Sequence, residues 1–429
     1  MNIKARLIIM NFLQFAIWGA YLTCMGRYLG PHGMGHHIGL FYSIQGIVSI
    51  FMPALLCIVA DRWIPAQKML GISHAISGAA MISAGAYGLA AGSAVQFGTF
   101  FTLYTIGVAF YMPTIALSNA VAYNALDKAG LDTVKAFPPI RVFGTIGFIC
   151  SMWMVDILGF QESAKQFIFS GGIGMALAVY SFTLPNCPIL KSDERKSFAE
   201  ALGLNAFSLF KERKMAVFFV FSMMLGVSLQ ITNGFANPFI ASFGAEPQYA
   251  DTFGVQHANI IVSLSQISET LCILLIPFCL KRFGIKKVML IAMFAWVLRF
   301  GLFGFGNPGP GVWLLILSCI VYGVAFDFFN ISGSLFVDKE TDISIRSSAQ
   351  GLFMLMTNGI GATIGTLVAQ MVVNHFCSWQ VVETATGTRH LLVGDWPTVW
   401  FIFAGYALVV AVAFIFAFKE KDEKTPSES

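Results

Sequence analysis

The sequence predicts an all-α integral membrane protein with twelve transmembrane helices in two six-helix halves. Three observations predict it. The 429 residues are 57% hydrophobic and only 11% charged, whereas soluble domains carry roughly 25% charged residues. Apolar runs of about 20 residues recur along the chain, the length that crosses a bilayer as a helix. One long hydrophilic interior stretch, 186–213, divides six runs from six others. Lipid offers exposed backbone groups no partner, so such runs are helical. The short dyad alternation of a membrane barrel is absent.

The spans fall near 6–28, 38–60, 68–90, 95–122, 137–158, 165–185, 214–240, 255–280, 286–306, 311–335, 347–373 and 396–418. The first is read as a span and not a cleaved signal peptide. It is long, carries Gln14 and Trp18, and lacks a small-residue cleavage site. The domains expected are an N-terminal half (1–185), a cytoplasmic linker (186–213), a C-terminal half (214–418) and a charged tail (419–429), KEKDEKTPSES.

Orientation follows from the basic residues. The termini and the loops after even-numbered spans hold 21 of the 26 Lys and Arg. The opposite loops hold Arg27, Lys165 and Arg389, and Arg141 and Arg299 lie inside spans. The positive-inside rule therefore places both termini in the cytoplasm. The net charge of +4 reflects this loop asymmetry and gives no argument for nucleic acid. Seven of the eight cysteines lie in or at the edge of spans and read as apolar fillers. Cys272 and Cys279 share a helix face, but two thiols make a poor metal site.

The halves echo each other. VADRWIPAQKML follows span 2 and CLKRFGIKKVML follows span 8, with Arg62 and Arg282 separated by 220 residues. At that offset Ser43 matches Ser263 and Trp63 matches Phe283. Two six-helix halves, each built from inverted three-helix repeats, is the plan of the major facilitator transporters, whose substrate sites lie between the halves near the midplane. The Asp61-Arg62 turn also resembles that superfamily's loop between helices 2 and 3. The same offset sets Ser49 opposite Glu269, so this carboxylate exists in one half only.

A charge inside a span costs about 2.5–3.5 kcal/mol on insertion scales. Four residues stand well inside: Arg141, Glu269, Arg299 and Asp327. Their formal charges sum to zero, so a buried ion pair locking helices together is one reading, and it weighs most for Arg299. The neighbours support another. Gln266 and Glu269 are three apart on one face of span 8. Span 7 sets Gln230, Asn233 and Asn237 at i, i+3 and i+7. Span 5 does the same with Arg141, Thr145 and Phe148 at i, i+4 and i+7. Span 10 sets Tyr322, Phe326 and Phe329 in a stripe, with Asp327 and Asn330 beside it. Polar faces avoid lipid and turn inward, either to bond helix to helix or to line a cavity. Amides offer donor and acceptor together, as the edge of a nucleobase requires. Aromatic faces can stack on a flat ring, and a carboxylate can accept from a sugar diol. The set fits a polar, partly planar, neutral solute better than an ion or a lipid.

Other features read plainly. His32, His36 and His37 belong to an outer loop, PHGMGHHIG, expected to be solvated. His74 is expected near a span end with a local partner. Gly361 and Gly365 form Gly-x-x-x-Gly, expected to pack helices closely. No phosphate loop, nucleophile triad or zinc motif is present. The chain is therefore expected not to be an enzyme and to need no cofactor or metal, the proton gradient serving as driving force.

FPPIRVFGTIGF, LQITN, SQISET, VYGVAFDFFNISGS and the opening NFLQFAIWG resemble the bacterial nucleoside:proton symporters of the major facilitator superfamily. The resemblance covers nearly the whole chain and weakens around 27–37, 245–252 and 376–395. It implies a central nucleoside site lined by Arg141, Thr145, Phe148, Gln230, Asn233, Gln266, Glu269, Tyr322 and Phe326. It ties Asp327 to proton coupling, with Glu269 the second candidate. The expected activity is nucleoside import with protons by alternating access, for purine and pyrimidine nucleosides. The protein is expected in the bacterial inner membrane as a monomer. A sugar or oligosaccharide symporter of the same fold is the alternative, and a nucleoside-sensing receptor the more distant one. Arg141 enters only four residues into its drawn span, so either its side chain reaches inward or the span starts earlier.

Overall fold

The computed structural model describes residues 2–189, 204–342, 345–384 and 387–418. Most of the hydrophilic divider, 190–203, and the tail 419–429 lie outside the described residues, as do the side chains of Asp61 and Arg62.

The first half runs through α1 (Ile3–Gly19), the short α2 (Met25–Leu29), α3 (Ile38–Arg62), α4 (Ala66–Ala91), α5 (Phe97–Lys128), α6 (Thr133–Ile157) and α7 (Lys165–Ser181). A 3-10 segment, Leu204–Lys211, leads into the second half. There follow α8 (Arg213–Leu229), α9 (Ile231–Ser242), the single turn α10 (Phe253–Gln256), α11 (Ala258–Phe305), α12 (Val312–Glu340), α13 (Arg346–Met354) and α14 (Ala362–Phe376). A hairpin of β1 (Cys377–Thr384) and β2 (Gly387–Gly394) precedes α15 (Trp396–Ala417).

Eight of these helical stretches are long and apolar enough to cross a membrane. One of them, α11, is two passes joined at Gly284, whose φ of 78° is open to glycine and disfavoured for other residues. Helices α1, α3 and α7 stand at the expected spans 1, 2 and 6 beside these passes. Span 7 breaks at Gln230 into α8 and α9. Span 11 passes through a π-helical segment, Leu355–Gly361, between α13 and α14. Helix α6 starts at Thr133, earlier than the sequence suggested, so Arg141 sits more than two turns inside it. Helix α15 shows how a start is specified: the Asp395 side chain accepts from Thr398 N at 3.1 Å, and Pro397 fills the first turn, where a missing N–H costs nothing.

Packing repeats between the halves. A Cβ at Gly19 would collide with the Phe148 carbonyl, and one at Gly147 with that of Phe12, which brings α1 onto α6. In the second half, Gly226 meets the Thr357 carbonyl and Gly365 that of Val227, which brings α8 onto the Leu355–Gly361 segment and α14. Gly361 meets the Met223 carbonyl, so the Gly-x-x-x-Gly spacing does serve close helix approach. Each half has its own aromatic core. Tyr21, Phe41, Phe100, Tyr104 and Phe167 interlock in the first. Trp296, Phe300, Phe303 and Trp400 interlock in the second.

The hairpin corrects the purely helical expectation. β1 and β2 pair antiparallel, with Cys377 opposite Gly394 and Trp379 opposite Leu392. Trp379 presses its indole against Gly30 and Gly35, so the hairpin of the second half lies on the first half's loop after α2. The seven described cysteines are all free.

Candidate functional site

On the first half, α6 presents Arg141, Thr145 and Phe148. The Arg141 guanidinium lies 3.8 Å above the Phe15 ring of α1, a cation–π contact that steers the long side chain along the wall. Arg141 and Thr145 are half-buried. Phe148 is buried and meets Trp18 edge-on at 6.1 Å. Trp18 is also half-buried, and its indole N–H donates to Gln45 Oε1 at 3.1 Å. Gln45 in turn donates to the Tyr104 hydroxyl at 2.8 Å. Sequence reasoning quoted Trp18 without assigning it to the site. Its tilted contact with Tyr111 at 6.1 Å and the Gln45 bond fix the plane of a large ring on this wall.

On the second half, the break between α8 and α9 presents the amides. Asn233 Nδ2 donates to Gln230 Oε1 at 2.8 Å, and both residues are half-buried. The Tyr42 hydroxyl of α3 reaches the Asn233 carbonyl at 3.1 Å across the divide. On α11, Gln266 is buried with Oε1 unpartnered, and Glu269 is half-buried. On α12, Tyr322 and Phe326 stack in parallel, 5.5 Å apart and 9° from coplanar. Asp327 is 5% exposed, and its Oδ2 has no partner. Asn330 Oδ1 is likewise unpartnered.

These walls face one another, since α6 packs on α11 across the halves. Arg141 lies within electrostatic reach of both Glu269 and Asp327. Neither carboxylate closes an ion pair with it among the described residues. One cation on the first half thus faces two acids on the second, with open hydrogen-bonding capacity between them.

Four expectations are corrected. Among the described residues, Arg299 sits in no ion pair. It is 1% exposed, donates to the Ser318 carbonyl at 2.8 Å and Ser265 Oγ at 3.3 Å, and lies over the Tyr322 ring at 4.5 Å. Asn237 does not share the surroundings of Gln230 and Asn233. It is fully buried and donates to Gln161 Oε1 at 3.0 Å and Asn259 Oδ1 at 3.2 Å. Phe329 belongs to the core beside Phe353. His74 finds its partner sixty residues away, with Nε2 2.8 Å from Gln14 Oε1.

Asn237 belongs to a polar seam between the halves. Thr23 Oγ1 donates to Asn259 Oδ1 at 2.5 Å, and Asn259 Nδ2 donates to the Met152 carbonyl at 3.0 Å. Trp153 Nε1 donates to Ser263 Oγ at 2.8 Å, and His257 Nδ1 lies 2.5 Å from Asp156 Oδ1. The Gly39 N–H donates to Gln370 Oε1 at 2.6 Å. Among the described residues, the hydrogen bonds joining the halves lie at this hairpin-bearing end or at mid-depth.

Two six-helix bodies hydrogen-bonded to each other at one end, with polar and aromatic side chains on their facing walls, define a secondary transporter of the major facilitator type. The family model described as nucleoside H+ symporter matches residues 1–423, and the chain belongs to that family. The nucleoside permease NupG of Escherichia coli K12 is 47% identical over 430 residues, covering 100% of this chain and 98% of the relative. The xanthosine permease of the same organism is 48% identical over 422 residues, covering 98% and 96%. A crystal structure of the nucleoside transporter NupG superposes with a TM-score of 0.87 at 48% identity, covering 98% of this chain and 100% of that one.

Proposed function

We propose that this protein imports nucleosides together with protons by alternating access. The observation that carries the reading is the composition of the gap. Unpartnered amide and carboxyl oxygens stand beside stacked rings, at Gln266, Asp327, Tyr322 and Phe326. Amides read a base edge and rings cover its face.

The roles follow from placement. Gln230, Asn233 and Gln266 bond the base. Phe148, Tyr322 and Phe326 enclose the flat ring. Glu269, Arg141 and Thr145 engage the ribose hydroxyls, with Arg141 as counter-charge to Glu269. Asp327 carries the proton, Glu269 being the second candidate. Amide contacts without a base-specific charge accommodate purine and pyrimidine nucleosides alike. The protein works as a monomer in the bacterial inner membrane, because one chain supplies both walls. The loop charges put both termini in the cytoplasm. The polar seam then closes the outer face, which makes this the inward-facing state. The proton gradient supplies the driving force, and no cofactor is called for.

The test is uptake of radiolabelled nucleosides into proteoliposomes holding only this protein, with and without a protonophore. The reading expects uptake that the protonophore abolishes and that unlabelled nucleosides compete. Competition by sugars instead would move the assignment to a sugar symporter. Absence of uptake with retained binding would move it to a receptor.

A further inference from the structure

Arg299 presents a physical problem. A fully buried guanidinium inside a membrane bundle normally sits against an acid, and this one does not. Its partners are a carbonyl, a hydroxyl, the Cys319 side chain and two rings, Tyr322 at 4.5 Å and Phe303 at 5.2 Å, while its Nε stays unpartnered. Such a residue is costly to the fold. Met would fill similar space at no charge-burial cost.

The geometry points to Arg299 as a positioning residue for the aromatic wall of the nucleoside site. The guanidinium lies over Tyr322, Trp296 meets that ring edge-on at 5.9 Å, and Phe326 stacks parallel to it. The plane of Tyr322 is therefore held by Arg299 and Trp296, and Tyr322 passes that plane to Phe326. Phe326 is half-buried and adjoins Asp327. The bond from Ser318 Oγ to the Arg299 carbonyl, 2.8 Å, fixes α12 against the second pass of α11 at this level. A planar guanidinium can lie flat on a ring and still bond in its own plane, which an ammonium cannot. The inference rests on Tyr322 and Phe326 lining the site proposed above.

The test compares the parent, Arg299→Met, Tyr322→Leu and the double variant. Uridine binding is measured by calorimetry, and thermal unfolding on the same purified samples. Arg299→Met is expected to weaken uridine about tenfold, the scale of a desolvated cation–π contact. Its Tm stays level or rises, because a buried unpaired charge has gone. The double variant binds no more weakly than Tyr322→Leu, since Arg299 acts through that ring. Arg299→Lys keeps the charge and loses the guanidinium's contact with the ring, so it also weakens binding, and it carries the comparison if the Met variant does not fold. Parent-level affinity in both Arg299 variants overturns the role, as does a loss fully additive with Tyr322→Leu. A loss that merely tracks a fallen Tm overturns it too. Uridine affinity untouched by Tyr322→Leu overturns the site assignment, and the positioning role with it.

Discussion

Asp327→Asn is the most informative perturbation of the transport cycle. The carboxyl is buried at 5% exposure with Oδ2 bare. Ionising it there strands a charge with Oδ2 unmet, a cost of several kcal/mol. Taking up a proton would remove that cost, and on the proposed reading this ties movement of the closed bundle to the proton. Asn keeps the shape and stays neutral permanently. A proton moving down one pH unit supplies about 1.36 kcal/mol, so a one-proton symporter accumulates a neutral nucleoside about tenfold per unit. At clamped zero potential, parent proteoliposomes with a one-unit gradient should approach that ratio. Asp327→Asn should hold it near unity, while still binding nucleoside and still exchanging labelled for unlabelled nucleoside at equal concentrations. Accumulation at the parent level by Asp327→Asn would refute the reasoning and move the proton to Glu269, tested next by Glu269→Gln.

Three further outcomes are expected. Asn233→Ala removes the donor to Gln230 Oε1, bonded at 2.8 Å, and should weaken nucleoside binding by about 1–3 kcal/mol in calorimetry with little change in Tm. Phe326→Leu keeps most of the apolar volume but loses the stacked face, so affinity should fall by about 0.5–1.5 kcal/mol; unchanged affinity would assign Phe326 to packing alone. Asn259→Ala deletes bonds to Thr23, Asn237 and the Met152 carbonyl. Spin labels at Ser93 and Arg389 should then report a larger population with the hairpin-bearing end open, and an unaltered distance distribution would count against the seam.

The helices were legible because lipid leaves an apolar run one way to satisfy its backbone. The faces were legible because helical spacing puts Gln266 with Glu269 and Tyr322 with Phe326 whatever the partners are. Partners across the bundle were not. Asn233 and Asn237 differ by one turn, yet one meets Gln230 beside it and the other meets Gln161 and Asn259 from elsewhere in the chain. His74 and Gln14 pair across sixty residues, a distance no local pattern records. Charge arithmetic suggested an acid for Arg299, but spacing cannot say which rings will line a guanidinium. The hairpin was missed because its two strands pair only with each other, and the residues that seat it, Trp379 on Gly30 and Gly35 and Leu391 on Gly244, meet partners far away in the chain.

Glu269 stands where the repeat puts Ser49, and the asymmetry has a mechanical consequence. Had both halves carried the acid, like charges would face each other across the gap and oppose closure. Instead Arg141 on α6 faces Glu269 and Asp327 on the opposite body. Attraction between charges on two rocking bodies weakens with separation and with the water between them. With both acids ionised against one cation, the facing walls would carry a net negative charge, which a single proton on one of them would neutralise. The Arg141–Glu269 attraction then acts without an uncompensated charge to be dried as the halves close. On the proposed reading, a neutral nucleoside whose hydroxyls bridge the remaining pair would replace water there and complete that closure. Proton and nucleoside, on that reading, each remove a separate cost of the same movement, which would make their transport conditional on each other.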